Sequence, residues 1–295
     1  MSFIKHQSPL FVIGSPRSGT SLLRLILTSH SKIIIPPECG FIVWLYDKYK
    51  SWNRSSNNKY KLALFIDDLF RCKKIDTWNL CKHDVSKKIY SLQPENYAEL
   101  CAAIYSAYAD KAGKGYEYWG DKNNYYLNHL NELINVYPNA KFLHIVRDGR
   151  DIACSYREVM TNKSTSPYAP ELETQIQDIA HIWKNDITKI DDFLSLLPCG
   201  YAMTIRYEDL VAKPSYIVKG ICNWIDIPFE VGMMDFYKQN ADKKLEPDLT
   251  LDWKKRTLQP ISTDTVGRYI DLLNTEEQGD FLYIANSVLR KFNYS

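Results

Sequence analysis

Two segments of this chain carry residue types suited to holding anions. The first, Gly14-Ser15-Pro16-Arg17-Ser18-Gly19-Thr20-Ser21, follows an apolar run and precedes an amphipathic one. A strand, a glycine-containing loop and a helix in that order let backbone N–H groups and a helix N-terminus cradle a phosphate. The spacing is that of a P-loop, but Thr20 stands where a kinase or NTPase needs a lysine to reach the β- and γ-phosphates. Arg17 is the only strong cation in the loop. The plainer alternative is a turn that binds nothing. The second segment is Arg147-Asp148-Gly149-Arg150-Asp151-Ile152-Ala153-Cys154-Ser155. An arginine at the end of a strand, followed by a turn glycine and a helix, is again an anion site, and Arg147 can take a phosphate bidentately. The alternative here is a solvated cluster in which Asp148 and Asp151 neutralise Arg147 and Arg150.

Other chemistries lack their residues. There is no GxSxG nucleophile elbow, no HExxH and no CxxC pair. The seven cysteines, an odd number, are scattered, which fits reduced thiols in a cytoplasmic protein and argues against structural zinc. Lys plus Arg is 37 against 35 Asp plus Glu, a formal net charge of +2, so a basic nucleic-acid footprint is absent from the total. With 45% hydrophobic and 24% charged residues the composition is that of an ordinary folded domain, and no run approaches a membrane span. Met1 to Leu10 has neither an apolar core nor a small-residue cleavage site, so it does not read as a signal peptide.

Elements that would position these residues can be read from periodicity. Apolar runs at Pro9–Ile13, Lys32–Ile35, Ala140–Val146 and Gly200–Arg206 predict four strands. Helical patterns lie at Ser21–Ser29, Glu99–Ala109, Leu127–Val136, Asp151–Met160, Leu172–Leu197, Ser215–Trp224 and Glu276–Phe292. Strands separated by helices indicate βαβ units and a parallel sheet. Lys50 to Gly115 holds helices and no evident strand, and Lys238 to Tyr269 shows little periodicity. Long interruptions of this kind are commonly lids or binding loops. Arg17, Glu38, Arg147 and Tyr207 each follow the end of a separate predicted strand, where open α/β sheets bind ligands.

Together, "GSPRSGTSLLRLIL" and "FLHIVRDGRDIACS" resemble the PAPS-dependent sulfotransferase superfamily, specifically the branch of bacterial and tyrosylprotein sulfotransferases. Lys122 and Tyr207-Glu208-Asp209-Leu210 fit the same pattern, and the resemblance runs from about residue 10 to 268. It implies a P-loop-type three-layer α/β fold with a central parallel sheet, a helical insertion and a C-terminal flap. The chain would be a single sulfotransferase domain, 1–295, with a helical cap at about 47–118 and the flap at about 240–268.

The resemblance also implies roles. Pro16, Arg17, Ser18, Gly19, Thr20 and Ser21 would hold the 5′-phosphosulfate of PAPS, and Arg147 with Ser155 the 3′-phosphate. Tyr207 would lie near the nucleotide, and Ser262, Thr263, Val266 and Gly267 would belong to the closing flap. Glu38 matches the branch's general base in its spacing from Arg17, and Lys122 matches the lysine that contacts the transferring group. PAP would be the product and no metal would be required. Read from the residues alone, Glu38 also fits a first-turn helix carboxylate and Lys122 a solvated lysine.

Two departures bear on the acceptor. Lys122 is followed by Asn123 and Asn124 rather than by the histidine base of the cytosolic small-molecule branch, which leaves Glu38 as base. Gly40 stands where tyrosylprotein sulfotransferases carry an arginine for acidic peptides, which weakens a tyrosyl-peptide acceptor. Trp44, Tyr46, Tyr49, Trp52, Trp119, Tyr125 and Tyr126 are either core or the lining of a pocket for a lipid, phenol or sugar ring. The expected partner is therefore a hydroxylated small molecule, lipid or glycan, not nucleic acid. The alternatives are a P-loop kinase or NTPase, or a tyrosyl-peptide sulfotransferase; oligomeric state, a homodimer included, is open.

Overall fold

The computed structural model describes residues 8–294. The reading of Met1 to Leu10 as no signal peptide falls largely outside the described residues. Five strands, β1 (Leu10–Ile13), β2 (Ile33–Ile34), β3 (Tyr118–Lys122), β4 (Lys141–Val146) and β5 (Ala202–Arg206), form one sheet in the order β2-β3-β1-β4-β5. β2 pairs parallel with β3, Ile33 opposite Tyr118, and β4 parallel with β5, Phe142 to Val146 opposite Ala202 to Arg206. Every residue of β1 is buried, as expected of an inner strand of a parallel sheet covered on both faces. At the edges, β2 is two residues long and stops before Pro36-Pro37, while β5 is only partly buried.

β3 corrects the expectation of four strands. Its sequence, YWGDK, holds a glycine, an acid and a lysine, residues depleted from strands, yet all five are buried. Gly120 is required there by a close approach: a Cβ would sit 2.4 Å from the Leu10 carbonyl oxygen.

Packing divides the chain into two compact units. Among the described residues, one comprises 8–11 together with His30–Lys141, and the other Val12–Ser29 together with 142–294. In the first, helices α2 (Lys59–Leu69), α3 (Lys82–Leu92) and α4 (Tyr97–Lys111) fill the insertion. Asn58 and Asn96 cap α2 and α4 by accepting from the N–H groups of Lys61 and Glu99. The second unit contains α1 (Thr20–Thr28), α5 (Gly149–Thr161), α6 (Ile176–Ser195) and α7 (Thr275–Lys291). Trp183, Ile187, Phe281, Ala285 and Leu289 make its apolar centre.

The stretch Lys238 to Tyr269, irregular by periodicity, is partly helical. Phe236–Lys243 and Asp248–Leu251 are helices, and Glu246 between them is buried. Its carboxylate pairs with Arg24 of α1 at 2.7 Å and with Lys254 at 2.6 Å. A buried ion triad, which leaves no apolar period, organises this segment. Among the described residues no helix is long and apolar enough to cross a membrane.

Candidate functional site

In the second unit, β1 runs into the Gly14–Ser21 loop and then α1. The helix start has no side-chain cap hydrogen bond and no acid in its first turn to offset its dipole. Gly19 at φ 101° precedes it; a Cβ there would lie 2.6 Å from the Tyr207 ring. Arg17 also has positive φ, 67°, a conformation that a non-glycine residue adopts only where its surroundings enforce it.

The enforcing partner is Arg147. Its Nη1 donates to the Arg17 carbonyl at 3.1 Å, and its Nη2 donates to the Thr265 carbonyl at 2.6 Å. The guanidinium lies over the Tyr207 ring, 4.5 Å from the centroid, and Tyr207 shares a hydrogen bond with the Thr265 hydroxyl at 2.7 Å. Arg17 Nε donates to Ser155 Oγ at 3.1 Å. Burial and the neighbouring Arg147 lower the Arg17 pKa to about 10. Two like charges are thus held close by neutral acceptors and an aromatic face. Buried beside them, Ser18 Oγ and Arg147 Nε have no hydrogen-bond partner. Backbone supports complete the site: Trp183 of α6 donates to the Arg147 carbonyl at 3.1 Å, and Glu208 accepts from the Asp148 amide at 3.0 Å.

The ion-pair alternative holds for Arg150 and not for Arg147. Arg150 pairs with Asp148 at 2.7 Å and lies over the Tyr269 ring, while Asp151 accepts from the amides of Gly267 and Tyr269. Arg150 is thus directly ion-paired, as Arg147 is not. Of the expected flap residues, Gly267 is bound to Asp151, whereas Ser262, Thr263 and Val266 are exposed. Thr265, which touches both Arg147 and Tyr207, was not singled out by the sequence. Its position in a loop without periodicity gave no signal.

The first unit carries the other cluster. Glu38 follows β2, and Lys122 ends β3 with its side chain buried. Lys122 Nζ contacts Glu38 Oε1, and Lys74 Nζ donates to Glu38 Oε2 at 2.7 Å. Neither the solvated-lysine nor the helix-dipole alternative describes this pair. Lys74, contributed by the helical insertion and itself at φ 71°, was invisible in the sequence. Of the seven aromatics, Tyr49, Trp52, Trp119 and Tyr126 are core; Trp44 and Tyr125 are exposed and pack edge-on at 5.7 Å. Trp44, Leu45, Lys48, Asp68, Arg71, Cys72 and Lys73 line a cavity of about 460 Å³. No metal-ligand cluster occurs among the described residues.

Comparisons with known proteins agree with this architecture. A family profile described as "Sulfotransferase family" matches residues 9–231. The chain is 26% identical to human protein-tyrosine sulfotransferase 1 over 295 residues, covering 99% of this chain and 71% of the human one. It is 22% identical to the zebrafish protein of that name over 97% of this chain and 72% of that one. An uncharacterised Aquifex aeolicus protein is 23% identical over 80% of this chain, which spans only 28% of that protein's length. Among solved structures, the sulfotransferase domain from the curacin biosynthetic pathway has a TM-score of 0.53 at 22% identity, over 90% of this chain and 97% of that one. Mouse sulfotransferase SULT7A1 complexed with PAP also has a TM-score of 0.53, at 12% identity over 97% of this chain and 84% of that one. The central five-stranded parallel sheet is the fold of these sulfotransferases. With most of its length matched by the family profile, this chain belongs to the sulfotransferase family.

Proposed function

We propose that the protein transfers a sulfuryl group from PAPS to a hydroxyl of a small-molecule, lipid or glycan acceptor, with Glu38 as general base. The observation that carries the donor assignment is the Arg17–Arg147 pair, two cations held side by side with no direct ion pair to an acid, Glu158 and Asp151 acting on them only through space. Such a pair is stabilised by a multiply charged anion, and the orphaned Ser18 Oγ and Arg147 Nε are donors suited to phosphate oxygens. Residues 16–21 with the start of α1 would hold the 5′-phosphosulfate. Arg147 and Ser155 would hold the 3′-phosphate, and Tyr207 would sit near the nucleotide. Ser262, Thr263, Val266 and Gly267 would close over it.

Bound PAPS would supply the sulfuryl group. Glu38 would take the acceptor's proton as its oxygen bonds to sulfur, and the S–O bond to the 5′-phosphate would break. Lys122 and Arg17 would offset charge on the transferring and leaving oxygens, each such donor lowering the barrier by about 3 kcal/mol. The cytoplasm is the expected compartment.

A tyrosyl-peptide acceptor is a second reading. It draws on the protein-tyrosine sulfotransferase relatives and on the cavity beside Trp44, where Lys48, Arg71 and Lys73 outnumber Asp68. Gly40 stands against it.

Thermal shift with PAP tests the donor assignment: PAP at about 100 times its Kd should stabilise the protein by about 2.7 kcal/mol without Mg²⁺. Stabilisation by ATP and Mg²⁺ but not by PAP would overturn it in favour of a kinase or NTPase. A mass-spectrometric screen for added sulfonate, run on phenols, hydroxylated lipids, glycans and acidic tyrosyl peptides with PAPS, decides between the acceptors.

A further inference from the structure

One buried ionisable group in the first unit has no part in the roles above. Asp121 lies in β3 beside Lys122, 1% exposed. Its Oδ2 accepts from the hydroxyl of Tyr105 on α4 and from that of Tyr126 at 2.6 Å. Its Oδ1 is buried without any hydrogen-bond partner. Both tyrosines are fully buried, with Tyr105 packed on Trp119 at 4.2 Å between ring centres and Tyr126 edge-on to Phe11 at 5.9 Å. The Tyr126 hydroxyl also lies 3.4 Å from the carbonyl oxygen of Cys39, the residue that follows Glu38.

We propose that Asp121 is a positioning residue for Glu38, acting through Tyr126 as a proton-operated relay. A tyrosine hydroxyl has one hydrogen to donate, and here two acceptors compete for it. When Asp121 is a carboxylate, the shorter, charge-assisted bond to Oδ2 wins. When Asp121 is protonated, it can itself donate to a tyrosine oxygen, and Tyr126 turns its hydrogen to the Cys39 carbonyl. The Cys39–Gly40 peptide, one peptide beyond Glu38 and its contacts with Lys122 and Lys74, is then fixed by a hydrogen bond that the ionised state lacks. The catalytic meaning of the relay rests on Glu38 being the base; the relay itself does not.

The site is built so that both states are accessible. Burial, above all, pushes the Asp121 pKa up to about 7, against the lowering effect of the two tyrosines and the Lys122 backbone, with the charge of Glu38 adding to the rise. The other titratable groups facing it are Tyr105, Tyr126, Tyr137 and Cys39. All four are pushed well above their ordinary values by burial, so none titrates near neutrality.

Carboxyl ¹³C NMR on selectively labelled Asp and Glu, without donor or acceptor, tests this. The Glu38 resonance is expected to show an inflection near neutral pH that coincides with that of Asp121 and disappears in Asp121→Asn. In Tyr126→Phe the Asp121 inflection should move to higher pH, because a donor to the charged form is lost, while the Glu38 inflection should be lost. A Glu38 resonance blind to neutral pH in the parent protein would overturn the proposal. So would a Glu38 inflection in Tyr126→Phe that moves with Asp121 at unchanged amplitude, since that would be through-space electrostatics. Tyr126→Phe keeps the test decisive should Asp121→Asn not fold. Failure of PAP to stabilise the protein would remove the sulfuryl-transfer reading and leave the relay standing.

Discussion

The candidate-site cations of the two units are held by opposite kinds of partner. Arg17 and Arg147 are fixed by two backbone carbonyls, a serine hydroxyl and a tyrosine face, none of which carries a charge. Lys74 and Lys122 are fixed by the Glu38 carboxylate. Glu158 and Asp151 act on the two guanidiniums only through space, whereas the lysines are paired directly, and a direct ion pair satisfies more of a cation's charge internally. Arg150, three residues from Arg147, shows the same contrast locally: it pairs directly with Asp148. An arginine count along the chain therefore overstates the binding charge, and the identity of each partner corrects it.

The sharpest way to break this comparison is to remove the base. Glu38→Gln should lower PAPS-dependent sulfonate transfer by about 10²–10⁴-fold while leaving PAP affinity within about twofold by calorimetry. A comparable loss of PAP affinity would show that the first unit also holds the donor. The mirror variant, Arg147→Ala, should weaken PAP binding by about 100-fold, the equivalent of truncating one partner of a charged hydrogen-bonded contact. Unchanged PAP binding would end the reading of the neutral-restraint site as the donor cradle.

Buried carboxyls give the two units opposite responses to pH. The Glu246 pKa is lowered to about 2, since Lys254 and Arg24 outweigh the cost of burial. Its stabilisation is present above the unfolded value near 4.5 and is lost as pH falls through about 2. Glu246→Gln should therefore cost about 3 kcal/mol at neutral pH, and the deficit should shrink in acid; a deficit independent of pH would exclude the ion triad as its source. Asp121 has the reverse sign. With its folded pKa near 7, the folded state binds the extra proton, so stability falls as pH rises from about 4 through about 7. Asp121→Asn should gain on the parent protein across that window in thermal melts, and a widening loss would contradict the assignment. The smallest effect is expected at Lys74: as a partly exposed pair, Lys74→Met should change stability by about 1 kcal/mol or less. A much larger change would mean that the insertion's lysine holds the unit's fold together rather than merely contacting Glu38.

Local signals in the chain were enough for the Gly14–Ser21 loop, for Arg147 and Ser155 around the start of α5, and for most of the sheet. A P-loop-like turn and a buried strand are determined by neighbours within about ten residues: glycine where φ must be positive, branched residues where both faces are covered. Long-range partnership has no such trace. β3 escapes a sequence reading because its Gly120, Asp121 and Lys122 are strand-poor residues whose burial is made possible by Leu10, Tyr105 and Glu38, distant in sequence, together with the nearby Tyr126. Lys74 and Thr265 lie in segments without a period, and only folding brings them to Glu38 and Arg147. The chain alone thus specified the kind of chemistry and the type of sheet, because both depend on residue identity and local geometry. Which charges are paired with each other and which rest on neutral groups depends on contacts between segments from 36 to 130 residues apart, and was decided only by tertiary packing.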